Sequence, residues 1–384
     1  MKPKLLYLCT EDWFFYSHFF RRAIAMQEMG FAVTVVARNC CHGEIIRNAG
    51  LNFINLKFER RSFSPWYKLR TLLSIWRVYS SERPDLVHHI ALEPILFGTF
   101  IARLRGIKNV VNAPTGMGYV FTSNHLLAHF LQPLVLLAMR SLLNPPGSYV
   151  IFENQDDIRL LTDKGIVRPD NAVLICGAGI DLARFHPGPE PEGVPVITLT
   201  ARMLWSKGIK EFVEAARLIK SSGIKARFLL VGKVDKGNPT AIDRNQLLAW
   251  QSEGVIEWLG YREDIPAVLA MSHIFCLPSY REGLSQSLLE ALAAGKPVVT
   301  TDVTGCRDVV THGDNGLLVP PKDTKLLAAA FEQLIASKEL RQKFGARGRI
   351  RAVTEFGNDK IIAQTHYLYR QMLGDNRTDA HPVL

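Results

Sequence analysis

The chain predicts an α/β protein built from two doubly wound, Rossmann-like halves. Short apolar runs rich in Val, Ile and Leu alternate with helix-period segments, the pattern of a parallel sheet covered on both faces. The alternation stops and restarts at FHPGPEPEGVP, Phe185 to Pro195, a stretch dense in Pro and Gly. With 384 residues, 47% of them hydrophobic, the chain suits two cores better than one. The expected divisions are an N-terminal Rossmann-like domain over 1–188 and a C-terminal one over 189–362. A final segment, 363–384, is expected to be a helix packing back toward the first domain, followed by a polar tail.

Taken in order, the first half opens with the strand KLLYLCT, then a helix over about Ser17 to Met29 that stops at Gly30, then the strand AVTVVAR. PDLVHHI, a helix near Pro94 to Leu104, KNVVNAP, SYVIFEN and AVLICGAGI continue the series. LLAHFLQPLVLLAMRSLL, Leu126 to Leu143, is apolar but holds His129, Gln132, Pro133 and Arg140. A spanning helix needs about 20 cleaner residues, so one or two buried or membrane-facing helices are expected. The second half runs VITLTARM, the helix KGIKEFVEAARLIKSSG, then ARFLLVGK, VIEWLG, HIFCLPS, PVVTT and GLLVP, and turns helical from about Asp323. There is no internal repeat and no low-complexity segment.

The formal net charge is +10 and the pI about 9.3. Such a surface attracts nucleic acid, anionic lipid or phosphorylated substrates without choosing among them. Cys9, Cys40, Cys41, Cys176, Cys276 and Cys306 show no C-x-x-C pairs, so neither a zinc site nor a disulfide framework is indicated and reduced thiols are expected. The N-terminal apolar run is too short for a signal peptide.

In doubly wound sheets ligands bind beyond the C-terminal ends of strands. Two such junctions in the second half carry suggestive residues. ARMLWSKGIKEF places Arg202 and Lys207 in a loop that leads into a helix, where free N–H groups and the helix dipole already favour an anion. An arginine fork and a mobile lysine there form a plausible diphosphate clamp, or an ordinary solvated loop. YREGLSQSLLE, Tyr280 to Glu290, is the second junction. Ser285 or Ser287 could cap its helix, and Ser287 with Glu290 fits a capping box, which gives Glu290 a structural explanation. Glu282 precedes Gly283 in the loop and has no such task. A carboxylate there suits sugar hydroxyls, and amides around Leu284 to Ser287 suit phosphate.

Together these pieces resemble the family 4 retaining glycosyltransferases of the GT-B fold. The resemblance rests on R-x4-K followed 75 residues later by E-x7-E, with PSYREGLSQSLLEALAAGKPVVTTDVTGCRDVV, GDNGLLVPPKD and GAGIDLARFHP in support. TEDWFFYSHF and APTGMGYVFT are similar to a bacterial branch that extends polysaccharide or lipid-linked oligosaccharide precursors. The resemblance implies two domains facing across a cleft. It implies that Arg202 and Lys207 hold the donor diphosphate, that Glu290 accepts from ribose hydroxyls, and that Glu282 meets the transferred sugar. Backbone at Gly283, Leu284 and Ser285 would help position sugar and phosphate, and Arg262 would lie near the base. Glu282, Arg202, Lys207 and His18 are the implied catalytic set. No D-x-D triplet occurs, so no metal and no cofactor beyond a nucleotide-sugar co-substrate, taken as a UDP-sugar, is expected. Configuration would be retained.

The first half is expected to bind the acceptor. TEDWFFYSH lacks a glycine-rich phosphate cradle. His18, expected at a helix start, is a candidate for the acceptor or the donor sugar, or is simply a packed residue. His88 or His89, ending a strand, is a second candidate, and Gly116 and Gly118 would let backbone approach the sugar. KFERRSFSPWYKLRTLLSIWRVY, Lys57 to Tyr79, mixes Lys57, Arg60, Arg61, Lys68, Arg70 and Arg77 with Phe63, Trp66, Tyr67 and Trp76. That composition suits an anionic membrane surface or a solvated helix. No nucleic-acid reading motif accompanies it. The expected setting is cytoplasmic, peripheral on the inner face of the cell membrane, with a glycan or polyprenyl-diphosphate-linked sugar as acceptor. A Rossmann oxidoreductase would need G-x-G-x-x-G after its first strand, which is absent. A nucleotide-sugar epimerase or hydrolase of the same two-lobed fold is the alternative.

Overall fold

The structure is a computed structural model and describes residues 2–58, 64–115, 126–235 and 237–374. The chain divides into two compact units, Met1–Ala178 with Asn358–Leu384, and Gly179–Gly357.

The first unit is a seven-stranded sheet of β1 (Lys4–Glu11), β2 (Ala32–Arg38), β3 (Asn52–Asn55), β4 (Leu86–Ile90), β5 (Asn109–Ala113), β6 (Ser148–Phe152) and β7 (Ala172–Leu174). Its spatial order is β3-β2-β1-β4-β5-β6-β7, and every pairing is parallel. Side chains alternate across β1 with period two. Leu5, Tyr7 and Cys9 join one core, and Leu6 and Leu8 join the other with Ile75, Tyr79 and Ile101. That two-sided burial is why the strand reads as an unbroken apolar run. The segment 126–142 is one helix, Leu126–Leu142, with Pro133 inside it.

The second unit is a six-stranded parallel sheet of β8 (Val196–Thr200), β9 (Arg227–Val231), β10 (Glu257–Gly260), β11 (Ile274–Leu277), β12 (Val298–Thr301) and β13 (Gly316–Val319). Its order is β10-β9-β8-β11-β12-β13. The chain winds outward from β8 in one direction, then returns to β11 and winds outward in the other. The reversal falls between β8 and β11, so the loops after these two strands lie side by side. They are the two junctions singled out above.

Three expectations change. The Pro- and Gly-rich stretch lies inside the second unit rather than at its edge. Arg349 donates to the carbonyls of Phe185 (2.8 Å) and Leu182 (3.3 Å), and Arg341 pairs with Glu190 (2.7 Å), fastening the stretch to the helix Lys338–Arg351. The last helix begins at Asn358, not near 363, and places Ile361, Leu368 and Tyr369 in the core of the first unit. The helix expected over 17–29 is two helices, Asp12–His18 and Phe20–Glu28, broken where Phe19 leaves helical geometry (φ −124°, ψ −14°).

Candidate active site

Lys207 closes a single turn of tight helix, Trp205–Lys207, after β8. Gly208 follows with φ +69° and starts the helix Ile209–Ser221. A Cβ on Gly208 would stand 1.9 Å from the carbonyl oxygen of Pro278, which follows β11. Only glycine therefore lets the two loops touch. The Tyr280 N–H donates to the Ser206 carbonyl at 2.9 Å and stitches them together.

That close approach brings Lys207 to Glu282. Lys207 Nζ lies 2.6 Å from Oε1 and 2.7 Å from Oε2. Ser279 Oγ donates to Glu282 Oε1 at 2.5 Å. The pair is largely covered, with side-chain exposures of 19% for Lys207 and 10% for Glu282. The backbone under Glu282 is fixed too. Its N–H donates to Thr304 O (3.0 Å), and Gly305, at φ +79°, leaves no room for a Cβ, which would meet the Glu282 carbonyl oxygen at 2.5 Å. Tyr280 OH donates to Glu211 Oε1 at 2.7 Å, a second tie between the junctions.

The helix Gln286–Ala293 begins after Ser285, whose side chain does not cap it. Ser287 is thus inside the helix, and the expected capping box with Glu290 does not form. Ser285 Oγ instead contacts Ser287 Oγ at 3.1 Å. An uncapped helix start keeps its first N–H groups available to an anion. Glu290 is half-buried, and no hydrogen bond or ion pair holds its carboxylate among the described residues. Desolvation pushes its carboxyl up to about 7, with Arg184 opposing the shift.

The structural assignments of the two glutamates are therefore exchanged. Glu290, for which local spacing supplied a task, has none. Glu282, for which it supplied none, is bound to Lys207 and Ser279. Arg202 is exposed and pairs with Asp235 at 3.1 Å. Arg262 is partly exposed and forms a two-pronged pair with Asp264 at 2.7 and 2.5 Å. Its side chain is engaged locally, which leaves its backbone as the available contact.

The candidates in the first unit fare differently. His18 ends the helix Asp12–His18 instead of starting one, because the helix breaks at Phe19. Its ring stacks on Phe14 with centroids 4.2 Å apart, and its Nδ1 lies 2.6 Å from Ser17 Oγ. His88 and His89 do not reach the surface. His88 Nδ1 meets Tyr369 OH at 2.5 Å, and burial holds its pKa well below the usual imidazole value. His89 bonds Tyr79 OH through Nε2 (2.8 Å) and lies 3.0 Å from Asn112 Oδ1 through Nδ1, with burial lowering its pKa to about 4. Both are neutral core groups, since β4 is covered on both faces. Gly116 and Gly118 lie outside the described residues.

Sequence reasoning missed Ser279, Gly208 and Gly305. The K-G step after Lys207 was a signal for the sharp turn. Nothing local marks Ser279 as a partner of Glu282.

Two family models match the chain: "Glycosyl transferase 4-like" over residues 4–143 and "Glycosyl transferases group 1" over residues 183–351. A Campylobacter jejuni N,N'-diacetylbacillosaminyl-diphospho-undecaprenol alpha-1,3-N-acetylgalactosaminyltransferase is 27% identical, with 89% of this chain and 91% of that protein covered. An Escherichia coli UDP-Gal:alpha-D-GlcNAc-diphosphoundecaprenol alpha-1,3-galactosyltransferase is 24% identical over 73% of this chain and 74% of its own. Among solved structures, a sucrose-phosphate synthase from Thermosynechococcus elongatus superposes with a TM-score of 0.79 at 20% identity, covering 97% of this chain and 100% of that one. Anabaena Alr3699/HepE in complex with UDP gives 0.78 at 17% identity, covering 96% and 100%. With two parallel α/β units of this topology, the chain belongs to the family 4-like glycosyltransferases of the GT-B fold.

Proposed function

We propose that the protein is a retaining transferase that moves a hexose or N-acetylhexosamine from a UDP-sugar to a polyprenyl-diphosphate-linked sugar or glycan acceptor during surface polysaccharide synthesis. The observation that carries the reading is the Lys207–Glu282–Ser279 cluster at the β8/β11 reversal, beside an uncapped helix start and the carboxyl of Glu290, which has no partner among the described residues. Both named relatives act on sugars linked to diphosphoundecaprenol, and the Anabaena structure holds UDP.

On this reading Lys207 and Arg202 oppose the charge that builds on the departing diphosphate, the term expected to dominate catalysis. Glu282 holds Lys207 in place and meets sugar hydroxyls. Glu290 accepts from the ribose. Transfer then needs no metal and no cofactor beyond the nucleotide sugar.

The acceptor's lipid implies a membrane surface. The helix Pro65–Glu82 supports that assignment, because Trp66 (75% exposed), Leu69 and Leu73 stand out on one face at spacings of three and four. Lys68, Arg70 and Arg77 lie on the same helix, and Arg60, Arg61 and Phe63 lie outside the described residues. No helix among the described residues is long and apolar enough to cross a membrane. We place the protein at the cytoplasmic face of the cell membrane, bound peripherally.

A screen of nucleotide sugars for thermal stabilisation tests the donor, since a ligand of the native state raises its melting temperature. UDP-hexoses or UDP-N-acetylhexosamines are expected to stabilise, and to be consumed only when a polyprenyl-diphosphate-linked sugar is present. Consumption at equal rate without acceptor would overturn the transferase assignment in favour of hydrolysis or epimerisation.

A further inference from the structure

Asp12, at the start of the helix Asp12–His18, is fully buried. Its Oδ2 accepts four backbone N–H bonds, from Cys40 (2.9 Å), Cys41 (2.9 Å), His42 (2.7 Å) and Gly43 (3.1 Å). These bonds wrap the segment 40–43 around the carboxylate. The other oxygen, Oδ1, is buried and has no hydrogen-bond partner among the described residues. A carboxylate oxygen buried without a hydrogen bond is costly, and a positive ion relieves it directly.

Two metal-binding side chains stand next to the Asp12 carboxylate. Single ligand atoms of Asp12, Cys41 and His42 lie within 4.8 Å of one another. Cys41 Sγ and His42 Nδ1 are 3.0 Å apart. Tetrahedral zinc, with bonds of about 2.3 Å to sulfur and 2.0 Å to nitrogen, would put such a pair roughly 3.5 Å apart, so a small side-chain adjustment suffices. The outer contacts needed to orient the ligands are present. Tyr16 stacks on the His42 ring at 4.5 Å, and the four amides fix the carboxylate. Thiolate, imidazole and carboxylate together suit zinc or another borderline divalent cation, and suit magnesium or calcium poorly. A sequence search for paired C-x-x-C spacing passes over this set, since two ligands are adjacent and the third is 29 residues away.

We infer that Asp12, Cys41 and His42 form a zinc-class divalent metal site that fastens the segment 40–43 to the end of β1. Cys41 binds as the thiolate and its proton goes to buffer. No group changes oxidation state, and the fourth position is open to water. All three ligands belong to the first unit.

Cobalt serves as the spectroscopic probe. The full chain, freed of metal by chelator, is titrated with Co2+ and then with Zn2+. One equivalent of Co2+ is expected to raise a thiolate-to-cobalt charge-transfer absorption, and one equivalent of Zn2+ to erase it. Cys41→Ser should abolish the band, and His42→Ala should weaken Co2+ binding by about 10-fold or more. Cys40→Ser should leave both unchanged. Both ligand variants lie on a surface segment and spare the core, so they keep the test open even if Asp12→Asn fails to fold. Absence of the band in the wild-type chain, or its survival in Cys41→Ser, overturns the site.

Discussion

Replacing Glu290 with glutamine is expected to stabilise the free protein while weakening its hold on the nucleotide. The carboxyl sits at about 7 in the folded chain against an ordinary 4.5, because desolvation disfavours its charged form. The folded state therefore binds this proton more tightly than the unfolded state does. Stability falls as pH rises from 4.5 through 7 and is level above. Two and a half pKa units correspond to a ceiling of about 3 kcal/mol. Partial exposure of the side chain reduces that to roughly 1–2 kcal/mol. Glu290→Gln removes the charge and keeps the shape, so it should gain about 1–2 kcal/mol at pH 8 and almost nothing at pH 4.5. Urea unfolding midpoints of the two proteins across that range give the difference directly. The same variant loses an ionised acceptor for ribose hydroxyls, and its affinity for UDP should fall about 10–100-fold by calorimetry. A pH-independent loss of stability would show that the carboxylate makes a structural bond, and unchanged UDP affinity would remove Glu290 from the donor site.

Lys207→Met leaves Glu282 without its cation in a mostly covered site, and should cost about 2–3 kcal/mol of stability in urea unfolding and at least about 100-fold in turnover with a UDP-sugar. Full turnover in this variant would exclude Lys207 from the chemistry. Gly208→Ala forces a Cβ against the Pro278 carbonyl at a positive φ and should lower stability by several kcal/mol or abolish soluble expression, whereas Gly254→Ala, also at positive φ but with open space around it, should cost only about 1 kcal/mol. Equal effects of the two would mean that the loops after β8 and β11 are not pressed together. His89, held neutral with a pKa near 4, makes the unfolded state the better proton binder between pH 6.5 and 4. That residue alone should remove up to about 3 kcal/mol as pH falls through this range, and His89→Gln should flatten the decline. Binding to anionic vesicles should be strong at low salt, released at high salt and reduced in Trp66→Ala; salt-insensitive absence from vesicles would reject the membrane assignment.

Much of this protein follows from local spacing alone. The runs AVTVVAR and GLLV are strands at the residues expected, because a parallel sheet covered on both faces demands unbroken apolar segments and nothing distant is needed to recognise them. The two strand–loop–helix junctions were readable for the same reason, and with them Arg202, Lys207, Glu282 and Glu290. The break at Phe19 was not, since helical periodicity continues through it while the backbone does not. The burial of His88 and His89 also escaped, because a histidine ending a strand reads identically whether helices cover it or solvent does.

What the sequence by itself determined is that two carboxylates and two cations stand at strand–loop–helix junctions of one α/β half, Glu290 within the helix of its junction. The tertiary structure decided which carboxylate has a structural partner. Lys207 and Glu282 are 75 residues apart, and their contact exists because β8 and β11 are neighbours at the reversal of the sheet and Gly208 lets their loops close to touching distance. Glu290 had a local explanation, and the helix starts two residues too early for it to apply. Local spacing can nominate a hydrogen-bonding partner, but pairing across the sheet is set by strand order, which no short stretch of sequence contains.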